Sequence, residues 1–271
     1  PNRDMNAIIP FPFTTGNQLL EHCLKHNLTI PQLMLENERA LWNLGLNEIS
    51  ERIVAIIRCM FDSIQRGCFS TQLLLPGGLK LPRRAPGMFK GIAACDEIEK
   101  VSTYALAVSE ENAAGGRVVT SPTNGSAGVI PAVLFHYCQA DPKGALDFIL
   151  TAAAVGTIFK HGASVSAAQV GCQGEIGVSS SMAAAGLTML RDTSQNPRKI
   201  LNAAEIAMEH HLGMTCDPAM GLVQVPCIER NAMGAIKAIT ASKLAMLGNG
   251  QHVVSLDACV QTMYQTGLHM D

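Results

Sequence analysis

The sequence has 271 residues, of which 48% are hydrophobic and only 4% aromatic, and its formal net charge is -2. A chain of this length can bury a full core, and the scarcity of aromatic rings means that small and aliphatic side chains must build it. The weak negative charge excludes the basic field that binding to nucleic acid or to an anionic membrane requires. We therefore expect a protein that acts on a small molecule or on another protein.

Hydropathy and cysteine content narrow the class of protein further. The mean hydropathy of +0.19 is positive, but the apolar runs, such as 148–159, fall short of the roughly 18 residues of a membrane-spanning helix. The nine cysteines are an odd number, and no two of them form a Cys-x-x-Cys pair. This argues against a disulfide framework and against the usual zinc-ribbon, ferredoxin and thioredoxin motifs. These features predict a soluble, cytoplasmic protein.

Helical periodicity dominates the chain, whereas the alternation typical of strands is rare. The pattern predicts a mainly α fold, a single compact multi-helix domain with Gly-, Pro- and Cys-containing loops. The predicted helices cover residues 16–27, 31–66 with a break near Gly45, 97–113, 127–139, 142–160, 175–191, 197–211, 228–247 and 255–267. Two of them begin with a capping side chain followed by a proline, at Asp141 and Asn196. Residues 75–91, rich in Pro and Gly, predict the longest loop.

The first segment able to carry chemistry surrounds Cys172, in the run Gly171-Cys172-Gln173-Gly174-Glu175-Ile176-Gly177. Glycines beside a cysteine let the backbone approach a bulky group, and the helix predicted to follow directs its positive end toward a thiolate. This setting suits a ligand of a metal cluster. The alternative is a small buried cysteine at a Gly-rich helix junction, which is the commoner role of an isolated cysteine.

A second segment contains Cys216 and Cys227, each within two residues of a proline. Their offset of 11 residues (227 minus 216) is enough for a loop to bring both thiolates to one centre. Because prolines restrict the loop, the thiolates lose little further entropy on binding a metal. A zinc site is the competing interpretation, although three cysteines need a fourth protein ligand to form a closed structural zinc site.

The third segment runs from Gly115 to Gly128 and combines hydroxyls, an amide and glycine N–H groups just before a predicted helix. Such a turn is suited to holding a carboxylate, and Arg117 can add a positive charge. The alternative is an Asn-Gly turn with local bonds from side chains to the backbone, which is the commoner meaning of such a sequence.

Three long strings make the sequence recognisable. They are SEENAAGGRVVTSPTNGSAG at 109–128, GASVSAAQVGCQGEIGVSSSMAAAGL at 162–187 and CDPAMGLVQVPCIERNA at 216–232. In this order they closely resemble the alpha domain of the iron-sulfur L-serine dehydratases, and the likeness runs from about Pro10 to the end. In that family three cysteines hold a 4Fe-4S cluster whose fourth iron is open to substrate. The resemblance implies Cys172, Cys216 and Cys227 as the cluster ligands.

The resemblance also implies the reaction, in which L-serine is dehydrated to pyruvate and ammonia. Elimination from serine needs an electrophile on the hydroxyl oxygen and a base on the α carbon, and an iron without a protein ligand can act as the Lewis acid. The turn in the first string would then lie near the open iron and hold the carboxylate or amine of serine. The candidate substrate-binding residues are Ser121, Thr123, Asn124, Gly125 and Ser126.

We interpret residues 1–271 as one alpha domain. Enzymes of the family also have a beta domain, fused in front or carried on a separate chain, and fused members continue past the equivalent of Gly267 into a tail that folds toward the cluster. We therefore expect this chain to lack the beta domain and part of the tail. Its expected partners are L-serine, the beta domain or beta chain and further copies of itself, with no nucleic acid and no membrane.

No residue is clearly placed to remove the α proton, and the catalytic base stays unassigned. The candidates near the cysteine segments are Lys160, His161, His210 and His211. The two histidines end a predicted helix, where the helix terminus would stabilise a protonated imidazole.

Two other functions compete with this interpretation. A pyridoxal-phosphate dehydratase performs the same net reaction, but it needs a lysine in a catalytic loop and a phosphate-binding glycine run. A non-catalytic iron-sulfur scaffold or redox-sensing subunit keeps the cysteines but leaves the turn at 121–126 without a role.

Overall fold

The computed structural model describes residues 7–270. The α-helices of this part of the chain are α1 Gly16–His26, α2 Ile30–Trp42, α3 Leu46–Cys68, α4 Ala85–Phe89, α5 Glu97–Ala113, α6 Val129–Cys138, α7 Pro142–Gly162, α8 Ala167–Val170, α9 Ile176–Arg191, α10 Pro197–Glu209, α11 Cys227–Leu247 and α12 Leu256–Leu268. Within residues 7–270 the only β-type pairing is one isolated antiparallel bridge between Leu74 and Pro82. The predicted mainly α fold is confirmed.

The cap signals in the sequence also act as predicted. The Asp141 carboxylate accepts from Gly144 N at 3.0 Å, at the start of α7. The Asn196 side chain accepts from Arg198 N at 3.0 Å, at the start of α10. The break near Gly45 separates α2 from α3, and Gly45 itself precedes the first residue of α3.

The prediction of a loop over residues 75–91 is wrong at residues 85–89, which form the short helix α4. The Glu110 side chain, on α5, accepts from the backbone N–H groups of Arg84 (2.8 Å) and Ala85 (3.3 Å). These are the first donors of α4, which have no partner inside a helix. A carboxylate far away in the sequence therefore starts this helix.

Helix α9 lies at the centre of the fold, and residues 176–189 are all buried. It packs against α6, α7, α10 and α11. Small side chains make this packing close: a Cβ built on Gly186 would lie 2.7 Å from the ring of Phe148 on α7. The core of small and aliphatic residues that the composition predicts is therefore realised by direct helix-to-helix contact.

Helix α7 is the most apolar long helix of the fold. Among the described residues, it is the one helix long and apolar enough to cross a membrane by length and composition, with a mean hydropathy of 1.2. The apolar stretch is therefore longer than the sequence interpretation assumed. Of its most apolar 18-residue stretch, 56% is buried inside the protein. The helix packs against α2, α3 and α9. Its place in the core accounts for its composition.

Three helix beginnings position the candidate site. The segment around Cys172 leads into α9, Cys227 is the first residue of α11, and the turn at 120–128 leads into α6. Because α6, α9 and α11 pack against one another, the fold brings the three segments that the sequence singles out to one place.

Candidate functional site

Two of the three predicted metal ligands meet at one point. The Sγ atoms of Cys172 and Cys216 and a carboxylate oxygen of Glu175 all lie within 4.8 Å of one another. Cys172 is buried, Glu175 is half-buried and Cys216 is exposed. Two thiols and a carboxylate at this spacing are compatible with binding of a metal ion.

The third predicted ligand, Cys227, faces the same group from the start of α11. Burial raises the pKa of its thiol, and the charges of Cys216 and Glu175 raise it further, while the Arg230 guanidinium lowers it. Charges act in this way only over short distances through the protein. The Cys227 thiol therefore lies within electrostatic range of Cys216 and Glu175, but it is not one of the three side chains whose ligand atoms lie within 4.8 Å of one another.

Gln173 holds the two cysteine loops together. Its backbone N–H donates to Met214 O at 3.1 Å, and its side-chain oxygen accepts from Gly213 N at 3.0 Å. The side-chain amide donates to Met263 O on α12 at 2.8 Å. Because Gln173 is completely buried, these bonds fix the loop that precedes Cys216 against the segment that contains Cys172.

Gly171 permits this contact between the loops. It adopts φ +69°, a left-handed conformation that favours glycine, and a Cβ there would lie 2.6 Å from both Met214 O and Met270 Sδ. The sequence predicts that glycines beside Cys172 allow the backbone to approach a bulky group closely. At Gly171 the group approached is the protein's own chain, at Met214 and Met270.

Burial and one neighbouring cation act in opposite directions on the Cys172 thiol. Burial raises the pKa of the Cys172 thiol, and the neighbouring Arg230 guanidinium opposes this shift without cancelling it. Arg230 itself is held by a bond from its Nη1 to Thr215 O at 2.9 Å. Buried thiols with raised pKa values give up their protons when a metal ion takes their place. The fit of these residues to a metal centre therefore rests on the spacing of Cys172, Glu175 and Cys216.

The turn that the sequence predicts for substrate is tied down by its own hydroxyls. The Ser126 hydroxyl accepts from Thr123 N at 3.4 Å and donates to Ser121 O at 3.3 Å. The Ser179 hydroxyl, on α9, also donates to Ser121 O, at 2.8 Å. The Thr120 hydroxyl donates to the Asn124 side-chain oxygen at 2.6 Å. These bonds give the turn a fixed shape.

The same turn carries hydrogen-bond donors that have no acceptor within residues 7–270. They are the backbone N–H groups of Asn124, Gly125 and Ser126 and the side-chain NH2 of Asn124. Successive N–H groups of this kind form a concavity that binds anions. Asn124 is exposed and Gly125 half-buried, so that a small carboxylate can reach them from solvent.

Asn231 joins this turn to the cysteine loops. Its side-chain NH2 donates to Gly125 O at 2.8 Å and to Cys227 O at 2.9 Å, and its oxygen accepts from Gly128 N at 2.9 Å. On the other side of the turn, a Cβ built on Gly125 would lie 3.0 Å from both carboxylate oxygens of Glu175. The turn therefore borders the cysteine group directly.

Comparison with known proteins places this geometry in a family. Residues 25–271 match the model of the family described as serine dehydratase alpha chain. The chain belongs to this family. It is 49% identical to an L-serine dehydratase of Streptomyces coelicolor over 98% of this chain and 59% of the relative. It is 46% identical to L-serine dehydratase TdcG of Escherichia coli over 100% of this chain and 61% of the relative. It is 44% identical to an L-serine dehydratase of Haemophilus influenzae over 97% of this chain and 59% of the relative. The chain thus spans about three fifths of the length of these curated relatives.

The four candidate bases of this serine dehydratase alpha chain lie outside the Cys172–Glu175–Cys216 group. Lys160 and His161 are exposed at the end of α7, and His210 is exposed, with its Nδ1 2.8 Å from Ile206 O. His211 is buried, and its Nδ1 lies 2.6 Å from Ala207 O. Burial lowers the pKa of His211 to about 4, so the expected protonated imidazole is wrong for His211. The base stays unassigned.

The alpha chain also uses two residues to which the sequence interpretation gave no role. Glu175 lies three positions after Cys172 in the same motif, and its place just before α9 is the one local signal for it. Asn231 lies in the Cys227 motif, but its partner Gly125 is 106 positions away, so no local pattern could reveal it.

Proposed function

We propose that this chain is the part of an L-serine dehydratase that holds a 4Fe-4S cluster and binds serine, which the complete enzyme converts to pyruvate and ammonia. The observation that carries the proposal is the meeting of Cys172 and Cys216 beside a turn with free N–H donors, with Cys227 at the start of α11 as the third proposed ligand. The names of the relatives, each an L-serine dehydratase, support the same reaction.

The donor set fits a cluster held by three thiolates. Sulfur ligands favour iron-sulfur clusters and zinc over harder cations. Glu175 is the donor that would complete a closed zinc site with the three cysteines, and metal analysis separates the two possibilities. When bound, the cluster would supply a Lewis acid for the substrate hydroxyl.

The residues of the turn have a simpler task, which is to hold the substrate. The N–H groups of Asn124 and Gly125, with the Asn124 side chain, would bind the serine carboxylate, and the buried Ser126 would support the turn beneath them. The hydroxyls of Ser121, Thr123 and Ser126 keep the turn in the shape that presents those donors.

The base that removes the α proton is proposed to lie in a beta domain, within the two fifths of the relatives' length that this chain does not span. A general base contributes about 10²- to 10⁴-fold to the rate. The alpha chain without its beta domain is therefore expected to bind serine but to turn it over weakly or not at all.

The test is anaerobic reconstitution of the chain with iron and sulfide, followed by metal analysis and a pyruvate assay on L-serine with and without the beta domain. We expect about four irons and four sulfides per chain and pyruvate only when both parts are present at equal cluster occupancy. One zinc per chain without sulfide, or serine binding without any pyruvate from the complete enzyme, would overturn the proposal. Equal turnover by the alpha chain alone would place the base within it.

A further inference from the structure

Glu175 carries a negative charge into the site without a cationic partner. No lysine, arginine or histidine nitrogen of residues 7–270 lies within 4.0 Å of its carboxylate. The carboxylate accepts a long hydrogen bond from the Cys172 thiol, with 3.9 Å between Cys172 Sγ and Glu175 Oε2. A half-buried carboxylate without a counter-ion is costly unless something else binds it.

The fold itself gives Glu175 no structural task. Glu175 stands immediately before α9, where acidic side chains commonly cap the first N–H groups, but its side chain makes no capping hydrogen bond. The carboxylate instead lies on the side of the turn: a Cβ on Gly125 would be 3.0 Å from both of its oxygens. Glu175 therefore stands between the Cys172 thiol and the turn.

Two opposite kinds of binding group thus stand side by side. The turn presents the N–H donors of Asn124 and Gly125, which suit an anion. Glu175, next to Gly125, is an acceptor for a cation. An α-amino acid carries a carboxylate and an ammonium group one carbon apart, and this pair of groups matches the arrangement in the site. A hydroxy acid of the same size offers Glu175 only a neutral hydroxyl, which makes a weaker hydrogen bond to a carboxylate than an ammonium group does.

The surrounding charges favour a cation at Glu175 as well. Metal-bound cysteines are thiolates, so a loaded centre adds negative charge next to the carboxylate. The cation beside these cysteines is Arg230, which is held by Thr215 O. A positively charged substrate group would relieve the repulsion between Glu175 and the thiolates.

We propose that Glu175 binds the ammonium group of the substrate and so makes the site select α-amino acids over α-hydroxy acids. This inference rests on the proposed function, since it concerns the substrate of the same site. A hydrogen bond between charged groups is worth enough that its loss should weaken binding by roughly 10- to 100-fold. The loss should affect only ligands that carry the ammonium group.

The experiment uses the complete holoenzyme, with its beta domain, and two ligands that cannot lose water from a β-hydroxyl. L-Alanine keeps the ammonium and carboxylate groups, and L-lactate has a hydroxyl in place of the ammonium. Equilibrium dialysis of both is compared for the wild type, Glu175→Gln and Glu175→Asp. The control is Glu229→Gln, since Glu229 is exposed and pairs with Arg84 at 2.8 Å. Iron content and melting temperature are measured for every variant.

We expect Glu175→Gln to weaken L-alanine binding by roughly 10- to 100-fold, with L-lactate binding, iron content and melting temperature unchanged. Glu175→Asp should lie between Gln and the wild type, and Glu229→Gln should match the wild type. Loss of iron in folded Glu175→Gln would make Glu175 a metal ligand instead, and equal changes for both ligands would reduce it to shaping the turn. Either result overturns the inference. Failure of the wild type to form pyruvate would refute the proposed function separately.

Discussion

Replacing Asn231 by alanine should separate the substrate turn from the first turn of α11. The Asn231 side chain makes three hydrogen bonds of 2.8–2.9 Å, to Gly125 O, Cys227 O and Gly128 N. It is 1% exposed, so that water has little room to replace the lost partners. Two of these hydrogen bonds connect Gly125, in the turn predicted to bind the carboxylate, to Cys227, a predicted metal ligand.

The magnitude follows from the groups left without a partner. Asn231→Ala leaves the Gly128 N–H and the Gly125 carbonyl unpaired, whereas the Cys227 carbonyl stays within the first turn of a helix. Each buried group that loses its partner costs about 1–3 kcal/mol. We therefore expect the free energy of unfolding to fall by roughly 2–5 kcal/mol.

The assay combines urea unfolding of the chain with iron content and KM for serine of the reconstituted enzyme. Asn37→Ala is the matched control, because Asn37 is also buried and bonds Phe11 N (3.0 Å) and Phe11 O (2.8 Å) away from the cysteines. Both variants should lose stability, but only Asn231→Ala should lose iron and raise KM. Wild-type iron content and KM in Asn231→Ala, or equal losses in Asn37→Ala, would refute the reasoning.

Three further predictions concern the turn, the core and a buried carboxyl. Asn124→Ala should lower kcat/KM for serine and leave the iron content intact; unchanged kinetics would return the turn to a structural role. Gly67→Ala places a Cβ 2.2 Å from a backbone carbonyl of α5 and should cost about 1–3 kcal/mol or more in urea unfolding, and wild-type stability would contradict the packing of α3 on α5. Burial, with the Glu209 carboxyl beside it, raises the pKa of Glu205 from 4.5 to about 8, and the His252 imidazole, with its Nδ1 2.6 Å from Glu205 Oε2, opposes this shift when it is protonated. The contribution of Glu205 to stability is therefore complete below pH 4.5 and is lost as the pH rises to about 8. Glu205→Gln should remove this loss, and equal pH slopes for variant and wild type would show that Glu205 does not titrate as described.

The helices could be predicted because their signals are local. Periodicity and cap residues such as Asp141 act within a few positions of the helix that they specify. Helix α4 could not be predicted, because its first N–H groups are bound by Glu110, some 25 residues further along the chain. The neutral state of His211 was missed for the same kind of reason. Its place at a helix end favours protonation, but the folded chain buries the side chain, and that burial lowers its pKa.

The candidate site also has features that the local sequence predicts and features that depend on contacts between distant segments. The residue types and their motifs single out the cysteines and the turn, since thiols next to Gly and Pro and clustered N–H donors carry their chemistry in the local sequence. How these parts meet depends on contacts between distant segments: Gln173 holds the loop before Cys216, and Asn231 holds the turn. Glu175 lies inside a recognised motif, but its lack of a counter-ion becomes visible only in the folded chain.

The most direct test of the three-cysteine centre is the iron content and pyruvate formation of single Cys→Ser variants, reconstituted anaerobically with the beta domain. Ser in place of Cys172, Cys216 or Cys227 should abolish both the iron signal and activity. Ser in place of Cys59 or Cys138, which lie on α3 and α6, should retain both. A fully active Cys216→Ser enzyme with its full complement of iron would contradict the account.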